Sequence, residues 1–200
     1  MFSKKEVARK EKYKTICGAL ELKFLDTDEF GTKAYLKSFK LFKHGHGKIR
    51  NLSQKKSHSL DEEISLFDYK YTISTGKSSV TYDQTVFFVN SKNLGLPDFI
   101  LKPENIGHKI AAFLGWEDID FEAYPAFSEK YHLKGEDEDY IRHHFNDDVL
   151  KFFSKTSGWT VEAVNYYLVF YAHNSVVPEN ILADFYRLGY GVYDLFKQKA

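Results

Sequence analysis

The sequence predicts an α+β fold, a mainly antiparallel β-sheet with helices packed on one face. Three observations carry this prediction. Between residues 63 and 90 apolar residues recur with a period of two, interrupted by one turn-forming run. Residues 136–154 and 181–195 instead carry apolar residues at helical spacing. The third observation is a phrase that occurs twice, Leu96-Pro97-Asp98-Phe99-Ile100-Leu101-Lys102-Pro103-Glu104-Asn105-Ile106-Gly107 and Val176-Val177-Pro178-Glu179-Asn180-Ile181-Leu182. In both places β-rich sequence enters Pro-Glu-Asn and then an apolar-periodic stretch. Such a strand-to-helix junction used twice implies a two-fold internal repeat of β-β-(Pro-Glu-Asn)-α units.

The elements follow in order. Residues 3–25 read as a helix, with Val7, Ile16, Leu20 and Phe24 apolar and a Lys-rich opposite face. Residues 26–31 break it. Residues 33–44 alternate basic and apolar side chains (Tyr35, Leu36, Phe39, Leu41, Phe42) and suit a short helix as well as a strand. His44-Gly45-His46-Gly47 is a turn, and from Lys48 the period becomes two. Residues 63–74 and 80–90 form a hairpin around Ser74-Thr75-Gly76-Lys77-Ser78. A third strand at 99–101 precedes Pro103, and a helix over 104–114 stops at Gly115. Residues 116–127 are irregular. A strand at 131–133 ends at Gly135, and the helix 136–154 starts with four acidic residues at the positive end of its dipole. Strand sequence at 160–172 allows a hairpin near 162–165, and Pro178 opens the last helix.

The lack of a Pro/Gly/Ser-rich linker predicts a single compact domain over 1–200, a basic, mostly helical arm (1–47) on an α+β body (48–200). With 43% hydrophobic residues the chain can bury a core, and 18 Phe and 14 Tyr make that core ring-rich. The lone Cys17 excludes an intramolecular disulfide and any multi-cysteine metal site, and fits a reducing, cytoplasmic location or the cytosolic side of a membrane-associated protein. The longest apolar run, residues 166–172, is far short of the roughly 20 that a membrane helix requires.

The net charge is zero but segregated. Residues 1–56 carry 15 Lys/Arg against 6 Asp/Glu, and residues 57–200 carry 13 against 22. Two readings follow: the arm packs on the acidic body, or basic residues 4–56 meet a protein partner or an anionic surface. Nucleic acid is the less favoured partner.

Catalytic patterns are weak. The Gly76-Lys77-Ser78 word lacks the glycine five residues earlier that a phosphate loop needs, because Tyr71 stands there between strands. His143 and His144 diverge by about 100° on a helix and do not share an ion readily. His44 and His46 lie among glycines. Asp98 with Asp68 and Lys70 has the residue types of a metal-dependent nuclease in the wrong order. Cys17 has no partner motif. Asp118, Asp120 and Glu122 alternate and, in an extended chain, would point one way as Mg²⁺ or Ca²⁺ requires, so they are the candidate metal residues of a hydrolase. Trp116, Tyr124 and Trp159 are the candidate lining of an aromatic ligand cleft. No cofactor motif is present.

The words Leu66-Phe67-Asp68-Tyr69-Lys70-Tyr71, Gln84-Thr85-Val86, Leu96-Pro97-Asp98-Phe99, Pro103-Glu104, Asp118-Ile119-Asp120-Phe121-Glu122 and Phe127-Ser128-x-x-Tyr131-x-Leu133 occur in that order. Over roughly residues 40–196 the chain resembles a group of uncharacterised bacterial proteins, many with hydrophobic N-terminal spans before a soluble domain. The resemblance implies no activity and no functional residue. The sequence thus predicts a non-enzymatic interaction domain, with the metal-dependent hydrolase and the aromatic-cleft module as alternatives.

Overall fold

A computed structural model describes residues 3–26, 28, 31–43, 47–57, 61–74, 76–105 and 117–198. The strands are β1 (Lys23–Phe24), β2 (Lys48–Lys56), β3 (Glu62–Ser74), β4 (Ser79–Ser91), β5 (Leu96–Pro103), β6 (Tyr131–Gly135), β7 (Thr160–Asn165) and β8 (Tyr167–Tyr171). They form one sheet in the order β1-β2-β3-β4-β8-β7-β5-β6, and every neighbouring pair is antiparallel. The helices are α1 (Lys4–Ala19), α2 (Thr32–Leu36), α3 (Pro125–Ser128), α4 (Glu138–His144), α5 (Asp147–Lys155) and α6 (Leu182–Phe196), with 3-10 turns at Lys40–Lys43 and Glu179–Ile181. This is the α+β, antiparallel fold that the patterning predicts.

The longest ladder is the expected hairpin. β3 and β4 pair without a register break from Glu62↔Ser91 to Ser74↔Ser79, and Gly76 turns the chain at a φ of 81° that suits glycine. The Gly-Lys-Ser word therefore sits in a hairpin turn. The second hairpin turns at Asn165 (φ 53°), the last residue of the expected 162–165.

Alternation along the strands separates two cores. Leu66, Phe87, Val89, Phe99, Leu101, Val161, Leu168 and Phe170 face a cluster shared with α1, α3, α4, α5 and α6. Phe67, Tyr69, Tyr71, Val86, Phe88, Val169 and Tyr171 face a second, smaller cluster with Leu36, Phe39 and Leu41. The longer helices thus share one face, while α2 and the first 3-10 turn cover part of the other. Rings dominate both layers: Phe99 packs edge-on against Phe145 at 5.1 Å, and Trp159 stacks on Phe170 at 4.7 Å.

Several elements differ from expectation. The helix predicted over 136–154 is two helices, because the Asn146 side chain accepts hydrogen bonds from Asp148 N and Val149 N and starts a new helix there. The ambiguous stretch 33–44 holds the end of α2 at Leu36 and the separate 3-10 turn Lys40–Lys43, with no strand among its described residues. In α1 the inward stripe is the partly buried Arg9 and the buried Tyr13 and Cys17, spaced by four, whereas Val7 is 51% exposed. The helix expected over 104–114 falls mostly on residues 106–116, outside the described residues, as do His44 and His46. The expected two-fold repeat is not shown: the shared Pro-Glu-Asn words are a likeness of sequence alone. Pro103 ends β5 and is followed by 3-10 residues Glu104 and Asn105, beyond which the chain is outside the described residues; Pro178 precedes a 3-10 turn and α6.

Candidate functional site

Two polar nodes and one groove stand out, and α1 creates the first node and the groove together. Ser3 caps α1 through a capping box with Glu6, which holds the Glu6 carboxyl below its ordinary range. One turn on, Arg9 enters the molecule. Its Nε and Nη2 fork onto Asp68 at 2.7 and 2.8 Å, and its Nη1 donates to the Val177 carbonyl at 3.0 Å and to Glu179 at 3.2 Å. Asp68 is fully buried and accepts two further hydrogen bonds, from Asn51 Nδ2 and Thr85 Oγ1, each at 2.8 Å. Asn51 reaches it because β2 carries a bulge there: the register with β3 shifts between Arg50 and Ser53, and Asn51 has a φ of 53°. Thr85 in turn accepts from Val177 N at 2.9 Å, so one node ties α1, β2, β3, β4 and the Pro178 junction.

Between α1 and the start of β2 lies a groove of about 460 Å³. Its apolar lining includes Val7, Phe24, Leu25, Ile49 and Leu52, and Arg9, Lys10, Lys33, Lys48 and Arg50 add positive charge. The acids along it are engaged locally. Glu6 belongs to the capping box, and Asp26 pairs with Lys10 at 2.7 Å, which lowers its carboxyl. Asp28 accepts from Thr32 N and Lys33 N at the start of α2. Arg50 Nη2 lies 2.5 and 2.6 Å from the two Asp83 oxygens.

The second node lies on the other sheet face. Glu162 is buried on β7 and accepts from Lys40 N at 2.5 Å, Leu41 N at 3.1 Å and the Tyr171 hydroxyl at 2.9 Å. Desolvation raises its carboxyl to about 7 despite these three donors, with Asp98 adding to the rise. Lys102, buried on β5, has its ammonium pushed below the ordinary range by the same cause.

The sequence-predicted residues lie elsewhere. Asp118 spends one oxygen on Leu133 N at 2.8 Å and the other on His132 Nδ1, whose Nε2 meets Glu104 at 2.7 Å. Asp120 and Glu122 are exposed, and among the described residues no three His, Cys, Asp or Glu are placed to hold a metal ion. Trp159 is packed between Phe170 and Phe185, Tyr124 is half-buried against the same core, and Trp116 is outside the described residues. None of the described ones lines the groove. Asp68 and Asp98 belong to opposite sheet faces and cannot form one centre. Sequence reasoning missed Arg9 and Arg50, although a clue was present. They are the two arginines among the 15 cations of residues 1–56, and arginine suits fixed carboxylate contacts better than lysine.

No family model and no curated protein matches the sequence. The fold is similar to that of TtfA. The crystal structure of the mycobacterial trehalose monomycolate transport factor A, TtfA, superposes with a TM-score of 0.64 over 93% of each chain at 12% identity. At that identity the likeness with TtfA is one of fold. Among the described residues no helix is long and apolar enough to cross a membrane.

Proposed function

We propose that this chain is a non-enzymatic binding domain whose binding surface is the groove between α1 and β2, within basic residues 4–56. The groove takes the apolar portion of an amphiphilic partner on Val7, Phe24, Ile49 and Leu52, and the acidic portion of that partner meets the lysines along it. The observation that carries this reading is the groove itself, an apolar floor with five cations and four carboxylates along it (Glu6, Glu11, Asp26 and Asp28, each with its own local partner), within the size range of ligand sites. The likeness to TtfA, named as a transport factor, favours a carrier or adaptor role over catalysis. A single domain, placed in the cytoplasm or on the cytosolic side of a membrane, is part of the proposal.

A thermal-shift titration tests it. Dodecyl phosphate below its micellar concentration should raise Tm, because a ligand that binds the folded state stabilises it by mass action. Inorganic phosphate should do far less, and Ile49→Glu should lose the rise. Equal shifts for the wild type and Ile49→Glu would refute the groove as the site.

A further inference from the structure

The geometry points to a proton-controlled latch in which the buried Glu162 carboxyl group on β7 fastens the 3-10 turn Lys40–Lys43, and with it the 31–43 segment, to the sheet. The turn begins with backbone N–H groups that no earlier carbonyl in the turn can receive. Glu162 supplies that acceptor from 121 residues away in sequence, with one oxygen shared between Leu41 N and the Tyr171 hydroxyl and the other facing Lys40 N. Leu36, Phe39 and Leu41 pack against Phe67, Phe88 and Val169 around it, and Phe39 meets Phe88 edge-on at 6.2 Å. The carboxyl group is therefore buried where the turn's apolar side chains meet the sheet.

The charged and titratable groups around it come from four elements. The 3-10 turn brings Lys40 and Lys43, and β5 brings Asp98 and, four residues further on the same face, the buried Lys102. β8 brings Tyr171 and β3 brings Tyr71, both held protonated by burial. Neither tyrosine competes for the proton at neutral pH; burial also raises the Asp98 carboxyl and lowers the Lys102 ammonium, so the Glu162→Gln variant is what assigns the titration to Glu162.

The direction of control follows from linkage. In the docked state burial holds the carboxyl at about 7, against an ordinary value of 4.5 that it regains when the turn lifts and water reaches it. The docked state binds the proton more tightly. Raising the pH from 4.5 to about 7 therefore favours opening, by up to about tenfold per unit, and the effect levels off above 7. Asp28 and Lys33, on the groove, belong to the chain leading into this turn, so opening loosens that wall. That consequence rests on the groove reading; the latch itself does not.

Amide hydrogen exchange on the whole chain, without ligand and corrected for intrinsic rates, reads the latch directly. Protection at Lys40 and Leu41 should fall by up to about tenfold per pH unit between about 5 and about 7, while amides of the β3–β4 ladder hold steady. Glu162→Gln should flatten the dependence. Tyr171→Phe keeps the carboxyl, removes a hydrogen bond that lowers it, and should carry the fall to higher pH. Wild-type protection independent of pH, or an unchanged slope in Glu162→Gln, would overturn the latch. Loss of the slope in Tyr171→Phe would overturn it as well. None of these readouts involves the groove's partner.

Discussion

The Arg9 guanidinium forks onto the Asp68 carboxylate, Nε to Oδ2 at 2.7 Å and Nη2 to Oδ1 at 2.8 Å, joining residues 59 apart in sequence. This pair fixes α1 to the sheet. Beyond Arg9 the helix buries only Tyr13 and Cys17 fully, so its docking depends on a charged contact more than on apolar area.

Breaking the pair from one side should be costly. Arg9→Ala leaves the fully buried Asp68 without its cation, a change worth about 3–5 kcal/mol in comparable buried pairs. Arg9→Lys keeps the charge, loses the fork and should fall between. Replacing both partners, Arg9→Met with Asp68→Leu, should recover much of the loss. Urea melts of the four proteins decide it, and a loss below about 1 kcal/mol for Arg9→Ala would mean that α1 is held by other contacts.

Two glycines of α6 should respond with opposite signs. A Cβ on Gly189 would lie 2.5 to 2.9 Å from ring atoms of Phe87, where the helix crosses the sheet. Gly189→Ala should therefore destabilise by about 1–3 kcal/mol through overpacking. At Gly191 a Cβ meets nothing within 4 Å. Gly191→Ala should stabilise by about 0.4–1 kcal/mol, since alanine loses less backbone freedom in a helix. Thermal melts that rank the two variants the other way would contradict this helix placement.

Cys17 should be inert in the native protein. Burial raises its thiol from 9.0 to about 11, and the nearby Asp68 charge acts in the same direction. At pH 8 that shift alone leaves about 100-fold less thiolate than in an ordinary cysteine. Because the folded state keeps the proton longer, this group's contribution to stability falls as pH rises from 9.0 to about 11. Labelling with a disulfide reagent should be slow in the wild type and faster in Arg9→Ala, where α1 is loosened. Fast labelling of the wild type would place Cys17 outside the core.

The hairpin, the last helix and the ring-rich core were legible because each is written locally, in a period of two, a period near 3.6 or a run of Phe and Tyr. The break at Asn146 was not, since an apolar stripe crosses it and only the cap chemistry of one side chain ends the helix. The groove was invisible for a different reason. Its walls, α1 and β2, come together through Arg9, Asp68, Asn51 and Thr85, which lie on four elements and share no spacing. Asp68 and Thr85 nevertheless fall in the words that carry the bacterial resemblance, as do Glu104 and Asp118, which meet His132. The charge split was legible as a number, and the structure shows where some of it goes. Arg9, Arg50 and Lys56 pair with Asp68, Asp83 and Glu63 of the acidic body.

The groove as a binding surface is the central claim, and residue-level mapping by nuclear magnetic resonance tests it most directly. Titrating dodecyl phosphate into isotope-labelled protein should shift the amides of Val7, Phe24, Ile49 and Leu52 together along one saturable curve, weakened by salt because the lysines hold the anionic group. Shifts centred elsewhere, or no saturable shift in this set, would contradict the account.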